Sequence, residues 1–414
     1  MKKFFFLFTL LPLLLVGQEL ELFGYYEPQI MAAKLGDNIY NAASNKLRLD
    51  LSKSWSDVSF GANINYISYH GKTEWNLVEY LPQKISNQMP SFMQECFAFY
   101  FGVMVQWVGP APTPRPDRMF LDNAFAKISY KKADITVGKQ QINMGAGYTW
   151  NPTDQFNVKN VLDPTYEQTG HNAIRLEIAL NSKLSIDSYI SPGDKIENSG
   201  AMLKLKSNIG RFDVAILGSR NNWLRTDYTN PAAITNPNAA FSTYQRQMFG
   251  GDLVGELLGL GVWAEGGYTF VDLKQGMGLP DMDDFWELVV GIDYTFNSGL
   301  YMMGEVYHNS LLPDKWQDYS LNNWMWYFST ETRAMSRDNF FGLVQYPLTD
   351  LISIGGMVIQ SISDGSATIA PMLTWSMLED VEFTTYLNLN TGKDGQTYAA
   401  NLGNGGIVRI RVYF

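Results

Sequence analysis

The chain closes on Gly405-Gly406-Ile407-Val408-Arg409-Ile410-Arg411-Val412-Tyr413-Phe414. Val408, Ile410, Val412 and Phe414 alternate there with Ile407, Arg409, Arg411 and Tyr413, the period-two pattern of a strand with one apolar face. The same alternation recurs along the chain in segments of about ten residues. Leu47, Leu49 and Leu51 interleave with Lys46, Arg48, Asp50 and Ser52, and Ile174, Leu176, Ile178 and Leu180 with Arg175 and Glu177. Val381, Phe383, Leu387 and Leu389 interleave with Glu382, Thr384, Tyr386 and Asn388. Beyond the N-terminal segment, the longest apolar run is Phe97 to Val105, too short to cross a bilayer as a helix, which takes about 20 residues.

Composition narrows the class. The 414 residues are 46% hydrophobic, 14% aromatic and only 17% charged, with a mean hydropathy of -0.15. A soluble globular chain carries about a quarter charged residues, and a bundle of membrane helices would be far less polar. The single Cys96 excludes a disulfide scaffold, and the net charge of -10 argues against a nucleic-acid partner.

Residues 1–17 read as a signal peptide: Met1-Lys2-Lys3 is basic and Phe4 to Gly17 carries no charge. The mature chain, residues 18–414, is then an exported single domain. In an exported chain without membrane helices, a last strand ending on an aromatic residue resembles the C-terminal signal of bacterial outer-membrane barrels.

The connections strengthen that expectation. Short turns are predicted at 53–57, 131–134, 181–183, 207–210, 257–259, 297–299, 347–350 and 377–380, with generally longer Pro/Asn/Gly/Asp-rich stretches between them, such as 71–120, 142–171, 221–242 and 310–337. Short–long alternation is the mark of an up-and-down antiparallel barrel. The turns imply an all-β transmembrane barrel of about eighteen strands, with sixteen as the alternative, in the outer membrane of a Gram-negative bacterium. Both termini would lie in the periplasm, and outer-membrane lipids would surround the wall. Tyr25, Tyr26, Trp55, Tyr69, Tyr130, Tyr189, Trp286 and Trp375 then read as interfacial aromatics. Trp324-Met325-Trp326-Tyr327 reads as loop packing in preference to a sugar platform. The apolar segment Met89 to Val108, inside a long loop, would be a plug, an added hairpin or a partner contact.

Little in the chain points to catalysis. His70, His171 and His308 are far apart, and no HExxH, paired CxxC or GxSxG motif occurs. His308-Asn309-Ser310 puts a His and a Ser on one strand face, a thin basis for a barrel-wall lipid hydrolase. No cofactor or metal is expected, and Cys96 reads as a packed residue.

Function would reside in the lumen, where residues alternating with the lipid face point inward. The registers put Lys46, Arg48, Lys127, Arg175, Lys204, Lys206, Arg409 and Arg411 on one lumen wall. They put Glu265, Glu287, Asp293, Glu305 and Glu382 on the other. Opposed walls of this kind would set up a transverse field that orients polar solutes. Cross-strand ion pairs are the alternative, with Asp50, Glu177, Asp187 and Asp213 as available partners.

Lys139-Gln140, Gly145-Ala146-Gly147, Asn151-Pro152-Thr153-Asp154 and the strand Ala173-Ile174-Arg175 together resemble porin-like outer-membrane barrels of the broad alginate-export type. The resemblance covers about forty residues and the last strand; Lys139 departs from the Arg usual at its position. It implies a solute channel with a loop folded into the pore. Gly145 and Gly147 would let the backbone turn sharply toward a wall. Trp150, Asn151, Asp154 and Asp163 would provide contacts, and Pro152 and Pro164 stiffness. The expected function is passive diffusion or export of small hydrophilic or saccharide-like solutes, with a homo-oligomer or a surface complex as the possible assembly. A plugged barrel acting as a surface or polysaccharide-anchoring structural subunit is the rival. If two opposed walls face the lumen, Arg48→Glu combined with Arg409→Glu shifts ion selectivity in planar bilayers, and unchanged selectivity removes the two-wall reading.

Overall fold

The computed structural model describes residues 20–35, 37–73, 81–88, 117–157, 159, 167–230, 232, 236–276, 279 and 282–414. The signal-peptide reading, Cys96, the 89–108 segment, Asp163 and Pro164 lie outside the described residues.

Eighteen strands form one closed antiparallel sheet, each paired with its neighbours in sequence and β1 paired with both β2 and β18. The first six are β1 (Glu21–Leu35), β2 (Asn38–Trp55), β3 (Val58–Gly71), β4 (Arg118–Tyr130), β5 (Ala133–Gln140) and β6 (His171–Ala179). Next come β7 (Leu184–Ser191), β8 (Gly200–Ile209), β9 (Phe212–Thr226), β10 (Phe241–Leu257), β11 (Leu260–Gly276) and β12 (Phe285–Thr295). The last are β13 (Tyr301–Asn309), β14 (Asp338–Pro347), β15 (Ile352–Ser361), β16 (Ala367–Leu378), β17 (Val381–Asn390) and β18 (Leu402–Tyr413). Among the described residues no helix is long and apolar enough to cross a membrane.

Each predicted short turn joins two strands at one rim. One of them holds two residues in the left-handed geometry that suits the sheet's twist: Leu258-Gly259 has φ of 55° and 84° between the paired Leu257 and Leu260. The start of β1 and the end of β18 lie at this rim. The opposite rim departs from strict alternation, because the connections from β1 to β2 and from β15 to β16 are also short there. Antiparallel neighbours require only a tight turn, so length at that rim is an addition.

The wall is apolar outside and mixed inside. Along β12, Trp286, Leu288, Val290 and Ile292 are exposed while Phe285, Glu287 and Val289 are buried. On β18, Val408 and Ile410 are exposed and Arg409 is buried. A water-soluble protein would invert this arrangement; a hydrocarbon solvent outside explains it. The aromatic assignments hold for exposed Tyr26, Trp55, Tyr130, Trp286 and Trp375 but not for Tyr25 and Tyr189, which are buried on the inner face. A strand's side chains change face with every residue, so a parity error of one inverts the reading.

The seam between β1 and β18 carries two backbone hydrogen bonds between Gly24 and Phe414, at 3.0 and 3.1 Å. Glu27 adds an ion pair with Arg411 at 2.5 Å, and Arg409 donates to Gln29 at 2.8 Å. Above the long-loop rim, helix α1 (Gln83–Gln88) and helix α2 (Leu321–Phe328) pack together through Leu81, Ile85, Tyr319, Trp324 and Met335. Ser320 and Asn323 form a reciprocal cap that starts α2. Trp324 is buried in that packing, the loop-packing role expected of it, and Met325 is buried as well.

Val290 sits outward in the middle of β12, between Ala264 and Val306. Val290→Arg is expected to cost about 2–4 kcal/mol, the midplane value for a lipid-facing arginine, measured by reversible denaturant unfolding in lipid vesicles. An unchanged midpoint would contradict a hydrocarbon environment at that position.

Candidate functional site

Residues 141–157 leave β5 and fold back inside the barrel against its inner wall. Ile142 and Met144 at the start of this segment and Phe156 at its end pack on Ala173, Tyr189, Met202, Leu217 and Met248 from β6 to β10. Trp150 lies farther round the wall, stacked on Tyr307 with ring centroids 5.2 Å apart, in a cluster with Trp263, Met303 and Phe341.

Between the two apolar contacts, inner-face carboxylates grip the loop by its backbone. Glu265 accepts from the N–H groups of Ala146 (2.7 Å), Gly147 (2.8 Å) and Thr153 (2.7 Å), and from the Thr153 hydroxyl (2.8 Å). Glu305 accepts from the N–H groups of Tyr148 (2.6 Å), Thr149 (2.9 Å) and Trp150 (3.0 Å), and from the Trp263 indole (2.7 Å). Five successive loop N–H groups, 146 to 150, therefore end on two carboxylates. Glu265 is 1% exposed and Glu305 0%, and a carboxylate so buried is tolerable only with this many donors. Gly145 has φ of +79°, and a Cβ there would fall on the Glu265 carboxylate. A Cβ on Gly147 would fall on the Trp150 carbonyl. The two glycines thus permit the close approach.

A second loop reaches the same place. Arg333, from residues 310–337, pairs with Glu287 at 3.1 Å and donates to the Asp154 carbonyl. Glu287 also accepts from the Tyr307 hydroxyl at 2.6 Å. Asp154 turns its carboxylate onto the N–H groups of Phe156 (2.9 Å) and Asn157 (3.0 Å), an Asx turn that shapes the loop. Asn151 donates to the Met144 carbonyl at 3.1 Å, closing the loop on itself. Lys159 donates to the carbonyls of Gly147 (2.8 Å) and Tyr148 (2.9 Å); burial pushes its ammonium below the ordinary value, against the pull of Glu305 and Glu265.

Gly145, Gly147, Trp150, Asn151 and Asp154 are thus brought together in one clamped element. Glu265, Glu287 and Glu305 lie on the inner face but beneath the loop, so they do not form an open acidic wall. The basic side is also matched in charge. Lys127 meets Asp134 at 2.7 Å, Arg175 meets Asp187 at 2.7 Å and Lys204 meets Asp252 at 2.5 Å. Lys206 lies 3.4 Å from Asp187, and Arg409 and Arg411 share Glu27. Asp293 accepts from Tyr301 at 2.9 Å, and Glu382 accepts from Thr384 at 3.4 Å. Segregated walls give way to cross-strand pairs, because adjacent inward positions on neighbouring strands carry opposite charges.

The loop's return adds a residue that sequence reading passed over. Glu167 accepts from Lys46, Arg48 and the Tyr25 hydroxyl, each at 2.7 Å. Burial raises the Glu167 carboxyl, but Lys46, Arg48 and Tyr25 outweigh it and hold the group below the usual carboxylate range. It therefore stays ionised near neutrality, and these ties weaken only as pH falls through the lowered value. Arg333 was passed over too: nothing local in 310–337 signals that this loop enters the barrel. His308 contacts Asp338 at 2.7 Å and stacks on Trp286, while the Ser310 hydroxyl accepts from the Trp286 N–H at 3.0 Å. The possible His–Ser arrangement is thus engaged elsewhere on both sides.

No protein-family model matches the chain, and no curated protein matches it. Among solved structures it is similar to Acinetobacter baumannii OccAB4, with a TM-score of 0.54, 8% identity and coverage of 95% of this chain and 97% of that one. It is also similar to Acinetobacter baumannii OccAB3, with a TM-score of 0.52, 8% identity and coverage of 96% and 99%. A triple mutant of Rhodopseudomonas blastica porin aligns more loosely, with a TM-score of 0.43, 13% identity and coverage of 96% and 100%. At this identity the likeness is one of fold.

Glu305→Ala strands three loop N–H groups and an indole N–H, at about 1–3 kcal/mol for each left dry. Limited proteolysis in vesicles is expected to cut Glu305→Ala within 141–157 at least tenfold faster than wild type, with Glu305→Gln intermediate. Equal cleavage rates would show that the loop is held by other contacts.

Proposed function

We propose that the protein is a porin-like channel of a Gram-negative outer membrane, with both termini periplasmic, for passive diffusion or export of small hydrophilic or saccharide-like solutes. The observation that carries this reading is a loop clamped inside a closed barrel whose outer face is apolar. A loop on the inner wall narrows a lumen without adding a domain, and the side left beside it, along β1, β2 and β18, carries charged groups suited to polar solutes. The residues proposed to line the passage are Lys46, Arg48, Lys127 and Arg411, while Asn151 and Asp154 hold the loop in shape from within. The sequence pattern from Lys139 to Arg175 supports a relation to alginate-export barrels and, with it, solutes of saccharide type. No catalytic role is assigned.

The purified chain in planar bilayers is expected to give steady open current, with added sugars reducing conductance by transient block. Persistent silence, with the protein inserted and folded, would favour a plugged scaffold that anchors a surface complex.

A further inference from the structure

We propose that Glu167 sets the charge selectivity of the lumen by occupying, as a built-in carboxylate, an oxyanion site made by Lys46, Arg48 and the Tyr25 hydroxyl. The inference rests on the channel reading above and deepens it. Lys46 and Arg48 lie two residues apart on β2 and so share the inner face, and Tyr25 pairs with Arg48 from β1. Their three donors converge on one carboxylate at 2.7 Å each, the arrangement that would bind a carboxylate or phosphate group of a solute. Arg411, 4.3 Å above the Tyr25 ring, adds positive potential from the neighbouring strand.

Glu167 is placed to compete at this site. It arrives on a loop that enters β6 only four residues later, so it is tethered beside the donors at high effective concentration. The pair is open to solvent, with the Lys46 and Glu167 side chains 20% and 26% exposed, so an arriving anion has access. Glu167 is one of three carboxylates on Arg48, with Asp50 at 2.7 Å and Asp122 at 3.7 Å, and it also pairs with Lys46. Removing Glu167 shifts the charge of this part of the passage by one unit toward positive and frees Lys46 from its carboxylate partner. A resident carboxylate also keeps any passing anion weakly held, the condition for binding that still permits exit.

The test compares the full chain with Glu167→Gln, which keeps size and loses charge. Under a potassium chloride gradient in planar bilayers, Glu167→Gln is expected to raise the anion-to-cation permeability ratio several-fold. Adding Arg48→Gln to it is expected to return the ratio toward wild type. A conducting Glu167→Gln channel with the wild-type reversal potential would overturn the proposal and leave the channel reading intact. If the wild-type protein does not conduct, the channel reading fails, and calorimetric titration of inorganic phosphate into folded protein in detergent decides the site. Phosphate binding gained by Glu167→Gln and absent from wild type supports it; no binding to either overturns it.

Discussion

A strand whose outer face lies in hydrocarbon must have every backbone N–H and C=O paired within the protein, because no water is present to take them. Seventeen of the eighteen strand pairings join neighbours in sequence; the remaining one, β1 with β18, removes the last two edges. The hydrogen bonds between Gly24 and Phe414, and the Glu27 carboxylate between Arg409 and Arg411, are therefore what allow the apolar exterior to exist. Without that seam, two rows of unpaired backbone would face lipid at a cost of several kcal/mol per group.

Closure creates an interior that must be filled or left wet, and this protein does both. One arc, from β6 to β16, is covered by residues 141–157 and by Arg333 from a second loop. Glu265 and Glu305 make that covering specific. An apolar contact alone would let the loop slide, whereas buried carboxylates penalise every register that leaves them short of donors. The other arc keeps paired charges that remain partly hydrated. The asymmetry comes from where the loop lies and does not require a separation of acidic from basic strands.

Much of this was legible in the sequence because it is local. Alternation along 407–414 or 381–389 needs only a period, and turns such as Leu258-Gly259 need only two residues. Gly145, Gly147, Pro152 and Asp154 announced a shaped loop by the same local logic. The partners were not legible, because nothing near Ala146 points to Glu265, 119 residues away, or near Lys46 to Glu167, 121 away. Such pairings depend on the shear and curvature of the closed sheet. Parity was the other weak point: Tyr25 and Tyr189 were placed outward by their aromatic character, and a one-residue phase decides the matter. Charge segregation failed for a related reason, since single-strand reading cannot see the carboxylate on the strand next door.

The seam also governs how the molecule comes into being. Every other strand pair forms between segments close along the chain, where loop-closure entropy is small. The pair that ends the process joins Glu27 to Arg411, 384 residues apart. Until it forms, the growing sheet is an open ribbon with two adhesive edges, the geometry most prone to joining another chain. Placing an acidic group on the first strand and two guanidinium groups on the last gives the correct edges a mutual attraction that like edges of two copies lack. The charges on the first and last strands thus select a β1–β18 pairing over β1–β1 or β18–β18 pairing between copies.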